Sequence, residues 1–271
     1  MSFEQSPILL ERPNMEIITD LNYKTYQGDS NTQDMRGYVE RDFNQNPLFG
    51  YAKAFSDAII PESEWKDRIE YRVKTKTSLL DLFKAKNVKI LNQKRLPYCW
   101  CYGPVGAMQL LRAKNNLPTW HLSATSAASK IKNYREVGGW GEQAIEGINK
   151  FGVSTVDYWP EAVNNRRYDT PEQRENAKLN MFTEVEELRP QTVNEVISSL
   201  LNNHPVSLAL MWWGHLVYAI DVVYDRGKYM ILIVNSWGEN WSEGGMGLLE
   251  LNRATPHEAF SFRRCTLSLA A

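Results

Sequence analysis

Cys99 stands directly before a run, Trp100 to Lys114, in which Val105, Met108, Leu110 and Leu111 share one broad apolar helical face. A helix N-terminus offers unpaired backbone N–H groups and the positive end of its dipole, and both favour a thiolate. A thiol nucleophile needs an imidazole to move its proton, and the imidazole needs a third group to orient it. His215 opens an apolar, β-rich run and Asn235 closes a later one. A turn at Asp225-Arg226-Gly227 would lay those strands side by side. Each residue also has an ordinary reading. Free cysteines pack in cores, a lone histidine is satisfied in a core or on a surface, and an asparagine after a strand makes a turn. Only the combination points to nucleophilic acyl chemistry.

The elements that would carry these residues are legible as patterns. Glu142 to Phe151 reads as a second helix stopped by Gly152, and Thr192 to Asn202 as a third. Val206 to Met211, Leu216 to Tyr224, Tyr229 to Val234 and Gly247 to Leu251 read as strands. Helices first and strands later make the class α+β, not alternating βαβ units. Residues 1–60 carry nine acidic against five basic residues, and Gly28-Asp29-Ser30-Asn31 is a turn cluster. Pro61 to Arg95 reverses the balance, with ten basic against five acidic. This shift divides the chain near residue 74, into an extension (1–74) and a main domain (75–271).

Composition excludes several classes. A chain of 271 residues that is 43% apolar can bury a core without a disulfide or metal staple. Its 31 basic and 32 acidic residues lack the basic excess of a nucleic-acid binder or a polybasic membrane surface. Cys99, Cys101 and Cys265 cannot all pair, which fits the cytoplasm or another reducing compartment. Ile8-Leu9-Leu10 runs straight into Glu11-Arg12-Pro13, which is no signal-peptide core. No apolar run approaches the ~20 residues of a membrane span. No cysteine or histidine pair has zinc spacing and no segment resembles a phosphate loop, so no metal or cofactor is expected. Cys101, about 200° round a helix from Cys99, reads as core packing. Cys265 reads as a packed thiol, and His121, His204 and His257 as surface residues in turns.

Together the segments resemble the papain-like cysteine peptidases. Gln93 with Cys99-Trp100 is similar to that family's oxyanion glutamine, nucleophile and following tryptophan. Gly214-His215 matches the base, and Asn235-Ser236-Trp237-Gly238 with Trp241 matches the orienting asparagine and its aromatic cover. Val137-Gly138-Gly139-Trp140 looks like the glycine-rich stretch beside the substrate. The resemblance runs from about Thr75 to the C-terminus. His215 and Asn235 lie 116 and 136 residues after Cys99, against ~130–150 in the family signature. A short loop before His215 accounts for the shortfall. Two departures stand out. Leu96-Pro97-Tyr98 replaces the family's Cys-Gly-Ser, so proline fixes φ where glycine leaves it free. Pro104 stands about one turn into the nucleophile helix, where a bend is expected.

The resemblance implies a two-part fold, with a helical left part bearing Cys99 and an antiparallel, barrel-like right part bearing His215 and Asn235. It implies that Cys99 attacks a peptide carbonyl, His215 protonates the leaving amine and Asn235 holds the ring under Trp237. Gln93 and the Cys99 N–H would form the oxyanion hole. A polypeptide substrate would lie along Gly138, Gly139, Trp140, Gly141, Ala209, Trp213 and Gly214. The pocket for the residue before the one bearing the scissile carbonyl reads as apolar, without a charge at its base. A silent papain-like binding module and an amidase acting on cell-wall peptides use similar residues; Asn235-Ser236-Trp237-Gly238 favours the peptidase. The extension lacks the family's helical pro-segment pattern, yet Phe43, Leu48, Phe49, Tyr51, Phe55, Ile59, Ile60 and Trp65 give it surface to dock. It is expected to cover the cleft containing Cys99 as an inhibitory arm. The alternatives are packing on the back of the domain or docking a partner.

Overall fold

The computed structural model describes residues 15–27 and 36–267; the Ile8 triplet and the turn cluster at Gly28 lie outside them. The described helices are α1 (Tyr23–Gln27), α2 (Glu62–Thr75), α3 (Leu79–Ala85), α4 (Cys99–Lys114), α5 (Ala124–Ile131), α6 (Gly141–Phe151), α7 (Pro171–Ala177) and α8 (Val193–Leu201). The strands are β1 (Ile17–Ile18), β2 (Lys53–Ala54), β3 (Phe182–Leu188), β4 (Val206–Leu210), β5 (His215–Asp225), β6 (Lys228–Val234), β7 (Met246–Glu250) and β8 (Glu258–Cys265). They form one sheet in the order β1-β7-β6-β5-β4-β8-β3-β2. From β7 to β3 every neighbour pairs antiparallel. The edge strands β1 and β2 pair in parallel with β7 and β3. Both belong to the extension, which therefore covers both edges of the antiparallel ladder.

Helix α4 and the strands β4 to β7 match the sequence expectations within a residue or so at each end. The β5–β6 hairpin closes through Arg226 (φ 47°) and Gly227 (φ 81°). Positive φ at both central residues is what a two-residue turn of the right twist requires. The sheet is buried on both faces. Ile231 and Ile233 enter one apolar cluster while Leu232 and Val234 enter the other. Hence the strands read as continuous apolar runs, not as alternation.

Helix α4 is apolar nearly all round, as expected of a helix enclosed by its domain. It runs unbroken through Pro104 to Lys114. Its close approach to β5 depends on two missing side chains. A Cβ on Gly103 would lie 3.3 Å from the Val217 carbonyl oxygen, and one on Gly106 would lie 2.8 Å from Tyr218 Cζ and closer still to Cε1 of that ring. This contact carries the first residue of α4 toward the first residues of β5.

The composition boundary near residue 74 falls inside the last turn of α2, not in a linker. Trp65 and Ile69 of that helix pack with Val196, Ile197 and Leu200 of α8 in the second apolar cluster. The Trp65 indole donates to the Ile60 carbonyl (2.8 Å). Arg72 pairs with Asp221 of β5 at 3.2 Å. The extension is thus built into the core rather than appended to it.

Candidate active site

The turn at Met211 to Gly214 delivers His215 to the start of β5, and the end of β6 delivers Asn235 beside it. His215 Nε2 and Asn235 Oδ1 are 2.8 Å apart. The same oxygen accepts the Ser236 backbone N–H at 2.7 Å, which fixes the amide's orientation. The Trp237 ring lies 4.8 Å from the imidazole and the Trp213 ring 5.0 Å, centre to centre. The imidazole is fully buried and its Nδ1 has no hydrogen-bond partner among the described residues. Burial depresses its pKa to about 4; the Asn235 bond opposes this and the Arg36 charge adds to it.

Cys99 is the first residue of α4 and is completely buried. The sequence led us to expect a thiolate, but burial pushes this thiol up to about 12. The backbone groups of Leu216, Gly37, Trp100 and Tyr38 pull in the opposite direction without cancelling the desolvation. Gln93 is anchored on both sides of its amide. Nε2 donates to the Leu96 carbonyl (2.7 Å), and Oε1 accepts from Ser236 Oγ (2.5 Å). Cys101 faces away, with its sulfur 3.6 Å from the Ala124 carbonyl.

The cleft is filled by the extension. Tyr38 forms a parallel bridge with Gly139. The Val39 N–H donates to the Gly139 carbonyl (2.9 Å), and the Gly139 N–H donates to the Gly37 carbonyl (2.9 Å). On the other wall the Tyr38 N–H donates to the Gly214 carbonyl (3.2 Å). Gly37 rests on Pro97, two residues before Cys99. A Cβ there would lie 2.8 Å from Pro97 Cα and closer still to the Pro97 carbonyl. Trp213, expected to line the substrate slot, turns inward and is 1% exposed. It stacks on Trp212 and packs against Trp237 and Trp241 beneath the histidine.

The surroundings of Gly141, expected to form an apolar pocket, are charged instead. Glu258, paired with Ala209 across β4 and β8, accepts the N–H groups of Gly141 (2.7 Å) and Glu142 (3.0 Å). The arm's Arg41 joins this carboxylate, with its guanidinium fully buried. It contacts Glu258 at 3.1 Å, Glu142 at 2.9 Å and Glu187 at 2.5 Å. The Asn46 and Pro47 carbonyls accept its remaining donors. Burial pushes Glu258 up to about 7 and raises Glu142 and Glu187 as well. Sequence reasoning missed this group because no local spacing links an arm arginine to glutamates on a helix and two distant strands. It also missed Lys132, whose ammonium lies 5.0 Å from the Trp100 ring and 5.3 Å from the Trp140 ring.

A buried helix that starts at a cysteine and packs on a sheet, with a histidine opening one strand and an asparagine just past the end of its neighbour, is the fold of the papain-like cysteine peptidases. Xylellain, a cysteine protease from Xylella fastidiosa, superposes with a TM-score of 0.61 at 15% identity, covering 84% of this chain and 95% of that one. Digestive procathepsin L 3 of the Tenebrio molitor larval midgut gives 0.56 at 14% identity over 90% of each chain. In sequence, the chain is 25% identical to the KDEL-tailed cysteine endopeptidase CEP2 of Arabidopsis thaliana over 214 residues, 69% of this chain and 56% of that protein. It is also 25% identical to the oryzain beta chain of Oryza sativa subsp. japonica over 190 residues, 60% of this chain and 40% of that protein. It thus spans about half the length of these two relatives. No family model matches the chain.

Proposed function

We propose that this chain is a thiol endopeptidase working through Cys99, His215 and Asn235, and that its extension holds it inactive. The observation that carries the reading is the 2.8 Å contact of His215 Nε2 with Asn235, which leaves Nδ1 unpaired for the thiol. The Cys99 thiolate adds to a peptide carbonyl carbon while the C=O pair moves onto oxygen, stabilised by the Gln93 amide and the Cys99 N–H. His215, as imidazolium, gives its proton to the leaving nitrogen, the C–N bond breaks and a thioester remains. Water then gives a proton back to His215 as its oxygen attacks the thioester, releasing the carboxylic acid and restoring the Cys99 thiolate beside the His215 imidazolium. Trp237 shields the His215–Asn235 bond from water.

Self-inhibition follows from what the arm offers the sulfur. The backbone groups of Gly37 and Tyr38 act on the Cys99 thiol directly, so the arm lies over the sulfur. Burial beneath it also keeps both thiol and imidazole neutral near pH 7. The test is turnover of a fluorogenic peptide by the chain and by Cys99→Ala, with the variant's folding checked by its melting midpoint. Loss of turnover in a folded Cys99→Ala supports the reading; equal turnover refutes it. Asn235→Ala should cost less than His215→Ala, because an orienting group only supports the base.

A further inference from the structure

Tyr38 leads from the cleft into the pocket beside Gly141. Its main chain is bonded to Gly214 and bridges Gly139, and its ring lies 6.3 Å from His257, the residue before Glu258. The side chain is 8% exposed, and its hydroxyl, beside the Arg41 backbone and near the Glu258 charge, has no hydrogen-bond partner of normal geometry among the described residues. A phenol of the arm therefore lies near the Glu258 charge without a hydrogen bond to it. Behind that wall a single guanidinium serves three carboxylates. Both the phenol and the guanidinium belong to the arm. When the arm leaves, Glu142, Glu187 and Glu258 lose the one arginine that pairs with them among the described residues, and an apolar side chain entering Tyr38's place would bury Glu258 against hydrocarbon.

Resting on the peptidase reading, we infer that the opened pocket selects a basic side chain, Arg or Lys, in the substrate residue before the one bearing the scissile carbonyl. Glu258 determines that specificity, and Arg41 is the built-in occupant that the substrate's cation replaces. A guanidinium meets a carboxylate through two parallel N–H donors, so Arg is preferred to Lys. This replaces the uncharged slot expected from Trp140, Gly141 and Ala209.

The experiment uses the full chain carrying Gly37→Ala, which drives the arm strand off Pro97 without touching a pocket residue. If that variant does not fold, Val39→Pro opens the same strand by removing the N–H bonded to Gly139, at a residue that is 48% exposed. Fluorogenic dipeptide amides differing only in Arg, Lys, Leu, Phe or Glu at the position in question are compared by kcat/KM. The same peptides are titrated for Kd against the opened chain with Cys99→Ala added. We expect Arg over Leu by about tenfold or more, and a ratio that falls toward one when Glu258→Gln is introduced. A preference for Leu or Phe overturns the pocket assignment and leaves the peptidase reading standing. No turnover, but tighter binding of the Arg peptide, upholds the pocket and overturns the peptidase reading. No turnover and equal Kd values overturn both.

Discussion

Gly37→Ala should release the arm from the cleft, and the structure sets the size of the effect. The new Cβ would meet Pro97 Cα at 2.8 Å and the Pro97 carbonyl more closely still, all of it backbone that cannot rotate away. Ordinary carbon contacts need ~3.5–4 Å, so the strand must retreat by on the order of 1 Å. That motion takes three hydrogen bonds, Val39 to Gly139, Gly139 to Gly37 and Tyr38 to Gly214, beyond useful range from their present 2.9, 2.9 and 3.2 Å. At ~1 kcal/mol each, about 3 kcal/mol of docking is lost, which is on the order of a hundredfold in the open population. The assay is the rate of labelling by an iodoacetamide probe with the modified cysteine mapped. Cys101, fully buried against Ala124, is the internal control. Cys99 should label about a hundredfold faster and Cys101 at its original rate. An unchanged Cys99 rate would mean that the arm does not control access, and a parallel rise at both sites would mean general loosening.

Arg41→Met should lower stability in urea by ~3–5 kcal/mol, because it leaves three buried carboxylates without a cation; a loss below ~1 kcal/mol would show that the pairing is worth little. A chain beginning at residue 75 loses Trp65, Ile69 and both edge strands, so it should aggregate on size exclusion instead of giving a free active domain. A monodisperse, cooperatively melting product would contradict the integration of the extension. Burial, together with Lys114 and Arg263, depresses His204 to about 4 from an ordinary 6.5. Its neutral form is favoured by folding, so this stability is complete above pH 6.5 and is lost as the pH falls toward 4. His204→Gln should flatten that limb of the melting-midpoint profile, and an unchanged slope would remove His204 from the account.

The residues of the proposed site were legible in the sequence because each announces itself locally. Cys99 precedes a helical run, His215 opens a strand, and Asn235 ends one before Ser236-Trp237-Gly238. The strands β4 to β7 were legible for a similar reason: a sheet covered on both faces writes unbroken apolar runs. Strands β3 and β8 were not, since Phe182–Leu188 carries three glutamates and Glu258–Cys265 carries a glutamate and two arginines. Those charges are tolerable only through partners distant in sequence: Glu187 and Glu258 on Arg41, and Glu186 on Arg263. Helix α2 was missed because its apolar positions are sparse among charges, although Trp65 and Ile69 are buried. Of the arm's apolar residues, Ile60 and Trp65 are buried while Phe49, Tyr51 and Ile59 stay largely exposed. His204 and His257, read as surface residues, are partly buried.

By itself the sequence determined the chemistry available and the order of the elements that carry it. Residue type, helical period and turn propensity are local properties of a chain. Only the tertiary structure decided the state of that chemistry. Whether the Cys99 thiol is ionised depends on what covers it, and the cover is Gly37 and Tyr38, sixty residues upstream. Whether the pocket beside Gly141 is apolar or acidic depends on Glu142, Glu187 and Glu258 meeting across a helix and two strands around Arg41. Burial and charge are sums over neighbours in space, and no window along the sequence contains those neighbours.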